Sequence, residues 1–212
     1  MSSLIFKTEQ DKAIVATDTL AVSLDGSPYC FQSKANYIPH LRTIIAGTGA
    51  GGFSNEWHFL ASTHMIMCGI HDLDFRTPEM LRELWKDYKE RHPMINDAIT
   101  TTVYQFGISE ESGEIVSFAY RSINNFKSES LQFGVGIKPY CLLEKEKEDF
   151  LNSIPDIMAK QRKNEAENAH GHRLYIGGEI VALILTKEGC NYINIKKFED
   201  FDIDKKAIKL NN

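Results

Sequence analysis

The chain has 212 residues, 42% of them hydrophobic and 25% charged, with a formal net charge of −5. That composition is ordinary for a globular protein and is most simply one domain over residues 1–212. It gives no electrostatic reason for a nucleic-acid partner, and no apolar run approaches the roughly 20 residues of a membrane span.

The opening MSSLIFKTEQDKAIVATD lacks the basic and long apolar regions of a secretory signal. Cys30, Cys68, Cys141 and Cys190 are scattered, without the close spacing of a disulfide framework or a zinc site. A cytoplasmic protein without metal or cofactor is the expectation.

SLIFKT alternates as a strand, turns through Glu9–Lys12 and returns as AIVATD, rich in small and β-branched residues. A loop around Asp25-Gly26-Ser27-Pro28 follows, then CFQSKANYIPH. TIIAGTGAGGF (43–53) next runs from an apolar strand straight into Gly47, Gly49, Gly51 and Gly52. A helix from about Ser54 to Cys68 comes after it, with Phe53, Trp57, Leu60, Ala61 and His64 on one side. Thr77 as N-cap and Pro78 at the first helical position announce a second helix, with Leu81, Leu84, Trp85 and Tyr88 as its apolar stripe. Pro93 ends it after His92.

Strands then resume. TTVYQFGIS, a turn at Glu110–Gly113 and EIVSFAYRS form a hairpin, and LQFGVGI is a further strand. LLEKEKEDFLNSIPDIMAKQRKNEAENA is helical in composition, with a break expected at Pro155. LYIGGEIVALILTKEGCNYINIKKF closes as a hairpin turning at Lys187–Gly189. Helices arriving in blocks, not after every strand, indicate a layered antiparallel α+β protein.

That order bears on the glycines. Gly47-Thr-Gly49-Ala-Gly51-Gly52 formally satisfies G-x-G-x-x-G, and Asp72 and Asp74 lie at about the distance of a ribose-binding acid. GIHDLDFRTP, however, does not read as a buried parallel strand, so dinucleotide binding is the weakest reading. His64, Cys68 and His71 share helical spacing but have Gly69 among them and no fourth ligand, so a packed helix end is expected. His170 and His172 read as a solvated helix terminus.

Taken together, SSLIF, AIVATD, FQSKANYI and IIAGTGAGG resemble the proteasome-type N-terminal-nucleophile hydrolases. The parallels are the catalytic subunits of the 20S proteasome and the peptidase subunit of the bacterial two-component ATP-dependent protease. The resemblance covers most of the chain and is specific over Ser2–Gly52. It implies a four-layer αββα sandwich, with Ser2 as nucleophile after removal of Met1. It further implies Asp18 and Lys34 as the activating pair and the Gly51 amide as oxyanion donor. The chemistry accounts for these residue types: a terminal α-amine with a reference pKa of about 7.7–8.0 can take the serine proton at neutral pH. A lysine ammonium favours the alkoxide-like state, the aspartate holds the lysine, and a backbone N–H meets the tetrahedral oxyanion.

Two positions depart from the family. Gly136 or Ile137 stands where it has a serine, and Arg173 where it has an aspartate. The expected function is hydrolysis of an amide or peptide bond, in a peptide or a small amide substrate. The alternative is a catalytically inactive structural or assembly subunit of the same fold. The resemblance also implies a ring homo-oligomer, with an ATPase unfoldase as a candidate partner. The apolar stripes around Trp57 and Phe59 and around Leu81–Tyr88 are expected to contribute a subunit contact.

Overall fold

The computed structural model describes residues 3–23, 25–63, 67–95, 99–142, 149–167 and 174–211. The first hairpin is β1 (Leu4–Thr8) and β2 (Lys12–Asp18). The short strands β3 (Leu20–Val22) and β4 (Pro28–Phe31) follow and pair only with each other. β5 (Ala35–Ile38) and β6 (Thr43–Thr48) lead through the glycine turn to α1 (Phe53–Thr63) and α2 (Ile70–Arg91). Next come β7 (Thr102–Ile108), β8 (Ile115–Arg121), β9 (Ser128–Ser130) and β10 (Gly134–Lys138). The chain finishes with α3 (Phe150–Glu167), β11 (Glu179–Thr186), β12 (Gly189–Lys197) and α4 (Phe201–Asn211).

Every recorded strand pairing is antiparallel, and two sheets have five strands each, in the orders β10-β1-β2-β11-β12 and β5-β6-β7-β8-β9. The protein is therefore α+β, as the block order of its elements implies. Residue alternation along the strands sorts the buried side chains into separate clusters. Leu4, Ala13, Val15 and Leu183 of one sheet pack with Ile44, Ala46, Tyr104 and Phe106 of the other. Their neighbours turn the opposite way. Ile5, Ile14, Ala16 and Ile180 meet Ile154, Ile157 and Met158 of α3, whereas Ile45, Val103 and Tyr120 lie under Trp57 of α1 and Leu81 of α2.

α2 begins at Ile70, so Thr77 is not a cap and Pro78 lies inside the helix. Burial explains the difference. Ile70, Leu73 and Thr77 are all fully buried, and the Thr77 hydroxyl donates to the Leu73 carbonyl at 2.6 Å. That hydroxyl also accepts from Gln105 Nε2 at 2.8 Å; Tyr120 OH lies 3.0 Å from Gln105 Oε1 and 2.6 Å from Asp74 Oδ1. A buried network of this kind holds the helix through the amide that Pro78 lacks. α3 likewise continues through Pro155, with Ile154, Ile157 and Met158 anchored on the sheet. α4, a helix beyond the hairpin with which the sequence reading closes the chain, is held at its start by Phe201 stacking on Phe31 with ring centroids 4.8 Å apart.

The apolar stripes of α1 and α2 are largely consumed within the chain. Trp57, Leu81, Leu84 and Tyr88 are buried, and Phe53 packs edge-on against Trp85 and Tyr88. The surplus expected for a subunit contact shrinks to exposed groups such as Phe59 and Phe75. Among the described residues, no helix is long and apolar enough to cross a membrane.

Thr77→Val is expected to cost about 1–3 kcal/mol, because it strands a buried Gln105 donor. Urea unfolding measures this; a change below about 0.5 kcal/mol, typical of an ordinary surface substitution, would contradict the network.

Candidate active site

Asp18 ends β2 with its side chain fully buried, where a bare carboxylate would be costly. Three donors satisfy it. Lys34 Nζ reaches Oδ2 at 2.9 Å, the Gly177 amide reaches Oδ2 at 3.1 Å, and the Ser3 amide reaches Oδ1 at 2.9 Å. Lys34 is itself only 6% exposed and donates a second bond to the Leu20 carbonyl at 2.6 Å. An ammonium has three donors, so one is uncommitted among the described residues.

Lys34 lines a depression shared with Gln32, Gly47, Gly49, Gly51 and Asn55. Its volume is about 20 Å³, close to the room that one water, or one oxygen atom of a ligand, requires. The turn that forms it needs glycine at Gly49, where φ is 104° and a Cβ would stand 2.1 Å from the Thr100 carbonyl oxygen. The turn is held by Tyr88 OH donating to the Gly51 carbonyl at 2.5 Å and by Thr101 Oγ1 donating to the Thr48 carbonyl at 3.2 Å. The amides of Gly49, Ala50 and Gly51 have no backbone acceptor among the described residues, and α1 starts two residues after Gly51, at Phe53. Unpaired N–H groups at a helix N-terminus favour negative charge. Asn55 ties α1 to the residues flanking Lys34, through Ser33 O at 3.1 Å and through the Asn36 side chain of β5 at 3.0 Å.

The structure thus brings Asp18, Lys34 and the glycine turn with Gly51 together. Ser2, Met1, Arg173, His64, His170 and His172 lie outside the described residues. Ser2 is joined by its peptide bond to the Ser3 amide that Asp18 holds. Ser3 itself is committed elsewhere: its hydroxyl donates to Gln161 Oε1 at 2.6 Å, and Gln161 Nε2 donates to the Pro139 carbonyl at 2.6 Å. Gln161 and Gly177 were not singled out by sequence, and their partners are some 158 residues away along the chain.

At the departing position, Gly136 pairs with Phe6, and a Cβ there would stand 2.1 Å from the Phe6 ring. A serine has no room at that point. The dinucleotide reading loses its frame, since β6 is antiparallel to both neighbours. Asp72 and Asp74 lie in α2, paired with Arg76 and with Tyr120 and Ser128. His71 faces Ser109 Oγ at 3.0 Å. A larger cavity of about 530 Å³ between α3 and β12 shares no residue with the site, and Arg162 in it is paired with Asp200.

No protein-family model matches the chain, and no curated protein matches it at a significant level. The reading of the site accordingly rests on its residues and their geometry.

Removing one partner of a buried ion pair costs about 3–5 kcal/mol, so Lys34→Ala and Asp18→Ala are each expected to lower stability by that amount. The double replacement Asp18→Asn with Lys34→Met should recover part of it, since no charge is left buried alone. Thermal and urea denaturation report this; single variants within about 1 kcal/mol of wild type, the range of an exposed pair, would contradict a buried pair.

Proposed function

We propose that the protein is a proteasome-type N-terminal-nucleophile hydrolase that cleaves an amide or peptide bond. The observation that carries this reading is the buried Asp18 carboxylate, which accepts at once from Lys34 Nζ and from the Ser3 amide next to Ser2. A structural ion pair needs neither a bond from the segment carrying Ser2 nor a glycine turn beside its lysine. This one has both, the first through the Ser3 amide and the second through the depression that Lys34 shares with Gly49 and Gly51.

In the proposed reaction Met1 has been removed. The Ser2 α-amine takes the Ser2 hydroxyl proton as the oxygen attacks the substrate carbonyl carbon. The Lys34 ammonium, held by Asp18, lowers the cost of the developing negative oxygen, and the Gly51 amide is the proposed donor to the carbonyl oxygen. The tetrahedral centre collapses, the amine passes its proton to the leaving nitrogen, and an ester on Ser2 forms. Water, activated by the same amine, hydrolyses that ester.

The two sheets, packed face to face and covered by α1 and α2 on one side and α3 on the other, support the four-layer αββα sandwich of this class. A ring of identical subunits belongs to the same proposal, with Phe59 and Phe75 as exposed apolar contacts.

A second reading, a catalytically inactive structural or assembly subunit, is favoured by Gly136. Gly136 or Ile137 stands where the family has its helper serine, and the Phe6 ring lies 2.1 Å from where a Cβ of Gly136 would be.

Intact-mass analysis with an acylating probe such as a β-lactone separates the two. The hydrolase reading predicts loss of Met1 and one adduct on Ser2, with labelling abolished in Ser2→Ala. Retention of Met1 together with an unlabelled Ser2 would leave the structural reading.

A further inference from the structure

The glycine turn closes with a hydrogen bond from the Phe53 amide to the Ala50 carbonyl at 3.4 Å. Of its two central residues, Gly52 has φ of 85°, while φ at Gly51 is not positive. A positive φ at the second central residue, with glycine there, marks a type II turn. Type II differs from type I by a flip of the central peptide, here the one joining Gly51 to Gly52. Two glycines make that flip cheap, because neither carries a Cβ that resists it. The turn keeps one state only if a contact from outside holds it.

That contact comes from α2. Tyr88 OH donates to the Gly51 carbonyl at 2.5 Å, whereas the first amides of α1 bypass that carbonyl: Asn55 and Glu56 both donate to Gly52 O at 3.0 Å. The Tyr88 ring is buried, with Phe53 edge-on at 5.4 Å, Trp85 stacked at 5.7 Å and His92 at 4.4 Å between ring centroids. Burial, and then the charge of Glu56, push the phenol above the usual tyrosine range, so the hydroxyl keeps the proton it donates. A hydroxyl held this firmly dictates which way the carbonyl points. In a planar trans peptide the N–H points opposite to the C=O. Drawing the Gly51 carbonyl toward α2 therefore turns the Gly52 N–H away from α2. Gly52 lines the one-oxygen depression beside Lys34, and Tyr88 does not. The Gly52 amide has no backbone acceptor among the described residues.

We infer that Tyr88 is a positioning residue that holds the turn in its type II state, so that the Gly52 amide joins the Gly51 amide as a second donor to the substrate carbonyl oxygen. The inference rests on the proposed hydrolase reading. In the flipped state the Gly51 carbonyl takes the direction of the Gly52 N–H, and an acceptor then faces the oxygen on which negative charge develops. The hydroxyl thus acts through the peptide it holds, without touching substrate, and its effect falls on the transition state.

The test follows acylation of Ser2 by a β-lactone in the full-length protein, read as a saturating rate constant and a half-saturating probe concentration. Tyr88→Phe keeps the packed ring and removes only the hydroxyl. Gly52→Ala places its methyl where no atom lies within 4 Å, yet alanine resists the positive φ, so it too favours the flipped peptide. Each variant is expected to lower the saturating rate constant by about tenfold or more, as loss of an oxyanion donor does. The half-saturating concentration should move by less than about twofold, because ground-state binding does not use the donor. The double variant should be no slower than the slower single variant, since both changes act on one peptide. A purely structural role would instead lower the melting temperature or the labelled fraction and leave the rate constant in place. A smaller fall in Tyr88→Phe, a change carried by the half-saturating concentration, or additive losses in the double variant would each overturn the role of Tyr88. If Tyr88→Phe does not fold, the rate constant of Gly52→Ala decides alone. No adduct on the unmutated protein would overturn the hydrolase reading and this inference with it, whereas an adduct formed at an unchanged rate in Tyr88→Phe overturns this inference only.

Discussion

The buried contact between Asp18 and Lys34 is the constraint around which the candidate site is organised. Two charges withdrawn from water at 0% and 6% exposure are stable together only if nearly every lone pair and proton finds a partner. Meeting that requirement draws four separate segments together: the chain start through Ser3, β3 through Leu20, the 177–178 turn through Gly177, and the segment before β5 through Lys34 itself. Lys34 also lines the depression made by the glycine turn.

Strand geometry explains why those segments can meet. β2 lies between β1 and β11 in its sheet, so the end of β2 is flanked by the chain start on one side and the 177–178 turn on the other. Lys34 enters from the second sheet, just ahead of β5, and β6 beside it delivers the glycine turn. The site therefore sits at one end of the contact between two sheets, with α1 and α2 behind the turn. Tyr88 of α2 reaches back to the Gly51 carbonyl and makes helix packing part of the turn's geometry.

Asp18 and Lys34 were picked out only by the resemblance of their segments to the family, whereas the glycine turn is a local signal, a strand running into glycines; the structure brings the three together. Gln161 and Gly177 were not picked out, because their roles arise from contacts across most of the chain and from no periodicity of their own. The start of α2 was misread for a related reason. Thr77-Pro78 is a strong local start signal, yet Ile70, Leu73 and the bond of Thr77 to Gln105 extend the helix eight residues earlier. The stripe of Trp57, Leu81 and Tyr88 has the expected helical period, and these side chains are buried within the chain. Periodicity says that a face is buried, and not whether its own sheet or another subunit buries it.

The most direct test of the account is a crystal structure of the protein after reaction with an acylating probe. The account predicts Met1 absent and the acyl carbon bonded to Ser2 Oγ. It also predicts the ester carbonyl oxygen in the glycine-turn depression, within hydrogen-bond distance of the Gly51 amide, with Lys34 Nζ beside Oγ. An adduct on any other residue, or Met1 still attached above an intact Asp18–Lys34 pair, would contradict it.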